Sequence, residues 1–333
     1  MKLFTRTSVI LASAWAVQVG YSHASPTIRN VYTFPRNTFI ENIAVQSNGN
    51  ILVTSLGSPS LFSIDPTVPN PNASIIATFP NATGISGVTE IEPDVFAVVT
   101  GVWDQAITRA ALGTLAVWTV DFSRGPVPST KYITGIANST IFNGIARHPT
   151  NPRLLLAADS AAGAVYRVDL GTGLYGVAFS SPLLQPTGTA AEGKHLGING
   201  LKAARSTVYF TNSAQGLFGK VGIDFHGNQV GGIEVLAKSS AAGSDVVYDD
   251  FALDLKRGTA WIASHPSYGV GVSLLDGRQT VINDTTKLLN PTSAAFGRGG
   301  IRQQKTLYVT NGGQFTPEFD LVNAGVVAVE LLF

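Results

Sequence analysis

The 333-residue sequence contains no cysteine, so neither disulfide staples nor thiolate chemistry can serve it, and a large apolar core must hold the chain together. Charge is also scarce. Asp, Glu, Lys and Arg make up 13% of residues with a net charge of +1, about half the usual share. The few charges of both signs are scattered along the chain, which excludes a phosphate-binding surface and with it nucleic acid as a partner. Beyond the first residues no apolar run approaches the ~18 residues needed to span a bilayer, so no membrane partner is expected. No long stretch keeps the i, i+3, i+4, i+7 apolar stripe of a helix. There is no Gly-x-Ser-x-Gly elbow and no His-Glu-x-x-His. Gly297-Arg298-Gly299-Gly300 reads as a turn rather than a phosphate cradle, because no helix pattern follows it. Nothing calls for an organic cofactor.

What the sequence does have is an opening of secretory type. Lys2 and Arg6 precede an apolar run from Ser8 to Val19 and a small-x-small end at Ser22-His23-Ala24, which predicts a signal peptide over residues 1–24 and a secreted or secretory-lumen protein. Four Asn-x-Ser/Thr sequons at Asn72, Asn81, Asn138 and Asn283 fit that route and make glycosylation an expectation. The remainder, residues 25–333, reads as a single domain.

Thirty-five glycines and 17 prolines punctuate short Val/Ile/Leu/Phe runs, the texture of many strands joined by tight turns. The runs repeat. First strands begin at Glu41-Asn42-Ile43-Ala44, Ser86-Gly87-Val88-Thr89, Asn143-Gly144-Ile145-Ala146, Asn199-Gly200-Leu201-Lys202, Asp249-Asp250-Phe251-Ala252 and Pro291-Thr292-Ser293-Ala294, at intervals of 42 to 57 residues. Each is followed by a strand apolar on both faces, such as Ile51-Leu52-Val53-Thr54 or Leu307-Tyr308-Val309-Thr310, as a strand sandwiched between sheets must be. Third strands close on Ile64-Asp65, Val120-Asp121, Val168-Asp169, Ile223-Asp224, Leu275-Asp276 and Val329-Glu330. Six such units predict an all-β, six-bladed β-propeller. The sixth unit runs out after its third strand, and Val31-Tyr32-Thr33-Phe34-Pro35 ends like the fourth strand Ile76-Ala77-Thr78-Phe79-Pro80. An N-terminal strand closing the last blade is therefore expected.

In a propeller the first strands line the axis, so the residues that open them ring one mouth: Glu41, Ser86, Asn143, Asn199, Asp249 and Pro291. Two carboxylates and two amides form an oxygen cage suited to one divalent cation, Ca²⁺, Mg²⁺ or Mn²⁺, and ill suited to zinc. The alternative is a polar, merely hydrated mouth. The ends of the second strands supply an outer wall of Ser55, Trp103, Asp159, Ser160, Asn212, Ser213, His265 and Asn311. Of five histidines, His23 falls in the leader and His148 and His226 lie in turns away from the mouth. His195 and His265 are placed to reach a ligand and to move protons near neutral pH, or else serve as structural histidines. Apolar approaches at Phe39-Ile40, Ile141-Phe142 and Leu196-Gly197-Ile198 favour an apolar small molecule over a sugar, although aromatics there also suit blade packing. On this reading His265, Asn143 and Asn199 are the catalytic candidates, and Phe39, Trp103, Phe142, Ser86, Asn212 and His195 contact substrate.

At these residues the chain resembles the SMP-30/gluconolactonase-like propellers over nearly all of residues 25–333. The resemblance is strongest to their fungal branch, in Glu41-Asn42-Ile43-Ala44-Val45, Asn143-Gly144-Ile145, Ile198-Asn199-Gly200, Tyr248-Asp249-Asp250-Phe251-Ala252-Leu253-Asp254 and Pro291-Thr292-Ser293-Ala294-Ala295-Phe296-Gly297. It implies a divalent cation on Glu41, Asn199 and Asp249, with Asn143 touching substrate. One position departs: Ile141 stands where the lactonases hold a substrate-binding Arg, which removes the charged anchor for a sugar lactone. The fungal branch includes hetero-Diels–Alderases of tropolone-sesquiterpenoid biosynthesis and a trichothecene-cluster protein. Three readings follow: a cyclase of fungal secondary metabolism joining an o-quinone methide to an alkene, a metal-dependent lactone or ester hydrolase, and a non-catalytic binding protein. The sequence sets no oligomeric state.

Overall fold

A computed structural model describes residues 26–331 apart from 126, 244, 301 and 302; the expected leader, residues 1–24, lies outside the described residues. Six four-stranded antiparallel sheets account for most of the chain. Blade one runs from axis to rim through Ile40–Val45, Ile51–Ser55, Ser58–Ile64 and Ala73–Thr78. The axial strands of the other five are Gly84–Glu92, Phe142–Arg147, Ile198–Ala204, Val247–Asp254 and Pro291–Phe296. Each axial strand touches its two neighbours, and the sixth touches the first, so the sheets form a closed ring.

The core is divided as the repeat demands. Six apolar clusters fill the six interfaces between adjacent blades. The second strands feed two of them at once: Ile51 and Val53 pack toward blade six while Leu52 packs toward blade two. Leu155 and Ala157 likewise face blade two, and Leu156 and Ala158 face blade four. Strand side chains alternate between faces, so a strand between two sheets has no polar side, and its sequence shows none. Each fully buried aliphatic or aromatic side chain contributes about 1.5–3 kcal/mol, which is how a chain without disulfides holds its shape.

Blade six is completed by the N-terminal strand Thr27–Thr33, antiparallel to Gly325–Glu330 with Thr27 opposite Glu330 and Thr33 opposite Gly325. The expected closure is borne out, and it pairs the strand Gly325–Glu330, which would otherwise present its edge to other chains. The terminal acids of the third strands cap the turns that follow. Asp169 accepts from the N–H groups of Gly171 and Thr172, and Asp224 from those of His226 and Asn228. Blade five departs from expectation: its third strand ends at Ser273, and Asp276 sits within the turn, its N–H donating to Ser273 Oγ. The four sequon asparagines are all exposed. Among the described residues no helix is long and apolar enough to cross a membrane.

Candidate functional site

Every axial strand carries an irregularity near its start. In blade one the ladder passes from Ile40–Ser55 to Ile43–Val53, leaving Glu41 and Asn42 without ladder partners. The same break occurs at Ser86-Gly87, Asn143-Gly144, Asn199-Gly200 and Asp249-Asp250. Such bulges re-aim side chains, and here they set two consecutive residues per blade at the axis. The break in blade six also corrects the sequence reading. Pro291 pairs with Asn311 as Ile40 pairs with Ser55, and Ser293 N–H donates to Thr310 Oγ1 as Asn42 N–H donates to Thr54 Oγ1. The sixth ring residue is therefore Thr292, and Pro291 stands where Ile40 does.

The upper ring is Glu41, Ser86, Asn143, Asn199, Asp249 and Thr292. Two of its hydroxyls are structural. Ser86 Oγ donates to the Phe142 carbonyl at 2.6 Å and Thr292 Oγ1 to the Ile40 carbonyl at 3.0 Å, each tying one blade to the next. The two amides are different: Asn143 Oδ1 and Asn199 Oδ1 are buried without a hydrogen-bond partner. The orientation of Asn199 is fixed, because Ser213 Oγ donates to the Tyr248 carbonyl at 2.8 Å and must therefore accept from Asn199 Nδ2, also at 2.8 Å.

Glu41 and Asp249 are 5% and 8% exposed. Burial, then the charges of Asp249 and Asp250, push the Glu41 carboxyl well above its ordinary range, while Asn143 pulls it back slightly. Burial also raises Asp249, against the pull of a hydrogen bond to His265. That bond joins His265 Nε2 to Asp249 Oδ2 at 2.9 Å, and the imidazole side chain keeps 31% exposure. His265 thus links a buried acid to the mouth. Two carboxyls that oppose each other's ionisation hold a proton between them or a cation.

One residue deeper, the chemistry is closed. Gly87, Gly144 and Gly200 follow three ring residues, and a Cβ on Gly144 would fall 2.4 Å from Leu201 N, so the strands of blades two, three and four meet too closely for side chains. Blades five, six and one instead place Asp250, Ser293 and Asn42 there. Asp250 accepts from Asn42 Nδ2 at 3.0 Å, Ser293 Oγ at 3.0 Å, Phe251 N–H at 2.8 Å and Lys202 Nζ at 2.7 and 2.8 Å. This lower layer, absent from the sequence reading, was marked by a plain signal: polar residues in three repeats where the other three have glycine.

The remaining candidates separate. Phe39 stays half-buried at the mouth, where a Cβ on Gly312 would come within 2.7 Å of its ring and 3.2 Å of Thr292 Cγ2. Trp103 covers Gly101 in the same manner, and its buried indole N–H has no acceptor. Phe142 is fully buried and packs on Tyr166 between blades two and three. Asn212 spends its amide on the carbonyls of Leu183 and Gln185 and on Gln215 N–H. Asn311, Ser55 and Asp159 similarly anchor loops. Ile141 is fully buried and brings no charge to the mouth. His195 lies in a loop beside Ile107 and Arg109 rather than among the ring residues. A cavity of about 560 Å³ lies away from the ring near Ser47, Asp94 and Phe122.

Fold and site define a six-bladed β-propeller with a buried acid and amide ring at one end of its axis. No family model matches the chain. It is 26% identical over 316 residues to a provisionally named hetero-Diels-Alderase of Phoma sp, covering 87% of this chain and 88% of that protein. A second protein, provisionally named hetero-Diels-Alderase asR5, from Sarocladium schorii, is 24% identical over 312 residues, 85% of this chain and 77% of that one. Among solved structures, the calcium-binding protein regucalcin of Agrobacterium tumefaciens superposes with a TM-score of 0.57 at 15% identity, over 89% of this chain and 92% of that one. The chain thus resembles the fungal hetero-Diels–Alderase-like proteins in sequence and a regucalcin-type propeller in fold.

Proposed function

We propose that the chain is an enzyme of fungal secondary metabolism that takes an apolar small molecule at the ring mouth and promotes a hetero-Diels–Alder cyclisation, joining an o-quinone methide to an alkene. The observation that carries this reading is the pair of buried acids Glu41 and Asp249, with His265 hydrogen-bonded to Asp249. The similarity of most of the chain to the Phoma and Sarocladium proteins supports it.

A neutral Glu41 carboxyl donates a hydrogen bond to the carbonyl oxygen of the heterodiene, drawing electrons from it and easing attack by the alkene. The cycloaddition forms one C–C and one C–O bond, and no atom leaves. Asp249 and His265 accept the phenol proton if the heterodiene is generated in place by loss of water from a hydroxymethyl phenol, while Glu41 protonates the departing hydroxyl and regains a proton from the Asp249–His265 pair before the cycloaddition. Asn143 and Asn199 present acceptor oxygens, which suit a substrate hydroxyl and cannot polarise a carbonyl. Phe39 and Trp103 shelter the mouth, and holding both partners in near-attack geometry supplies up to about 7–11 kcal/mol. The test is to incubate purified protein with a hydroxymethyl-phenol precursor and an electron-rich alkene. Excess of one product enantiomer over the buffer control, lost in Glu41→Gln, supports the reading; a racemic product at the buffer rate refutes it.

A second reading rests on the two unpartnered amide oxygens. With Glu41 and Asp249 they make an all-oxygen donor set that fits a hard divalent cation, held by Glu41, Asn199 and Asp249. Such a cation would polarise a lactone or ester carbonyl; the buried Ile141 then favours apolar lactones over sugar acids. Stoichiometric metal in the purified protein and lactone hydrolysis abolished by chelator would favour hydrolysis over cyclisation.

A further inference from the structure

Outside the ring, a cavity of about 320 Å³ opens between two loops. One belongs to the small hairpin of blade two, Trp103–Asp104 and Arg109–Ala110; the other leads into blade four. The second runs into the strand that holds Asn199, and the hairpin follows Gly101, which pairs with Gly84 just before Ser86, so the cavity lies on the mouth face, yet none of the ring residues lines it. Its walls are largely apolar, from Ile107, Ala161, Pro186 and Ala190, and its polar side chains are Arg109, His195 and Thr189, whose hydroxyl is taken up by Glu192.

Arg109 and His195 keep donors to spare. Arg109 is exposed and, among the described residues, meets no carboxylate at ion-pair distance. The nearby acid, Glu192, is turned into its own loop, where Oε2 accepts from Thr189 N–H at 2.7 Å and Thr189 Oγ1 at 2.9 Å. Both ring nitrogens of His195 are buried, and although the ring leans on the Ile107 backbone, neither closes a well-formed hydrogen bond. Burial, then the neighbouring Arg109 charge, hold His195 below its ordinary pKa and so in the neutral form. A guanidinium fork and a neutral imidazole at the end of an apolar hollow match a carboxylate on an apolar body: the fork takes both oxygens and the imidazole N–H adds a third donor. The volume sits at the small end of ligand pockets, which suits a single ring or short terpenoid chain and excludes a polymer.

We propose that this cavity is a second small-molecule site, taking a compact apolar acid whose carboxylate is held by Arg109 and His195. It stands independently of the reaction at the ring. Benzoate serves as probe and benzamide as its neutral counterpart, titrated into the whole protein and followed by ligand-observed NMR. Benzoate should bind at least tenfold more tightly than benzamide. Arg109→Met should abolish that preference, Arg109→Lys should retain part of it because charge persists without the fork, and His195→Gln should weaken benzoate severalfold. Asp249→Asn, in the ring, should leave benzoate affinity as it was. Equal binding of the two probes, benzoate affinity unchanged by Arg109→Met, or loss only in Asp249→Asn would each overturn the assignment.

Discussion

Asp249 and Asp250 are adjacent in sequence, buried on the same axial strand, and opposite in chemistry. Asp250 is surrounded by donors from three neighbours and an ammonium, so its charge is fully answered and its position fixed. Asp249 has the His265 imidazole and the Asn199 amide, no full counter-charge, and faces a second acid, Glu41, that resists ionisation. The bulge puts the two carboxyls into successive layers. A buried charge with all its partners is scaffold, and one left short of them is poised to take a proton, a cation or a substrate.

The comparison can be broken at either layer. Glu41→Gln or Asp249→Asn should lower cyclisation by about 10²- to 10⁴-fold, the usual contribution of a positioned acid or base, with the fold intact by circular dichroism. In the layer below, Lys202→Met leaves Asp250 buried without its cation and should cost about 3–5 kcal/mol of stability, read as a fall in the urea midpoint. Glu41→Gln should move stability the other way. Glu41 is raised in the folded state, so it favours folding below its unfolded pKa, and that contribution is lost as pH rises through the raised value. Wild type should therefore lose Tm from acid toward neutral pH where Glu41→Gln does not, leaving the variant ahead at neutral pH by about 2–4 °C for each kcal/mol removed. If chelator lowers the neutral-pH Tm of wild type instead, a cation rather than a proton answers the pair. The smallest change should follow Ser213→Ala. Without that hydroxyl the Asn199 amide is free to turn, for a loss of about 0.5–1.5 kcal/mol in transition-state binding, visible as a severalfold fall in kcat/KM.

Much of this was legible beforehand, because a repeat repeats its physics. Second strands apolar on both faces announced sandwiched sheets, and the openings of five repeats located Glu41, Ser86, Asn143, Asn199 and Asp249 on one ring. Thr292 escaped because the connection between first and second strands is longer in blade six, Phe296 to Thr306, than in blade one, Val45 to Ile51, so counting from either side gives no unique register. Phe142 and Asn212 escaped because, beside a bulge, one residue of slippage decides whether a side chain meets the axis or the core. The Asp250 layer needed a comparison across repeats: glycine in three, side chains in three.

The strand Thr27–Thr33 lies at the opposite end of the chain from its partner Gly325–Glu330. At about 5–20 residues per second of synthesis, the early segment waits roughly 15–60 s for its mate. During that interval five sheets can assemble in order, but the circle stays open, and the acids of blades one and five have no sixth blade between them. Closure of the propeller and completion of the acid ring, which needs Pro291–Phe296 between blades five and one, thus both fall at the end of synthesis, with the N-terminal strand as the last piece of the sixth blade.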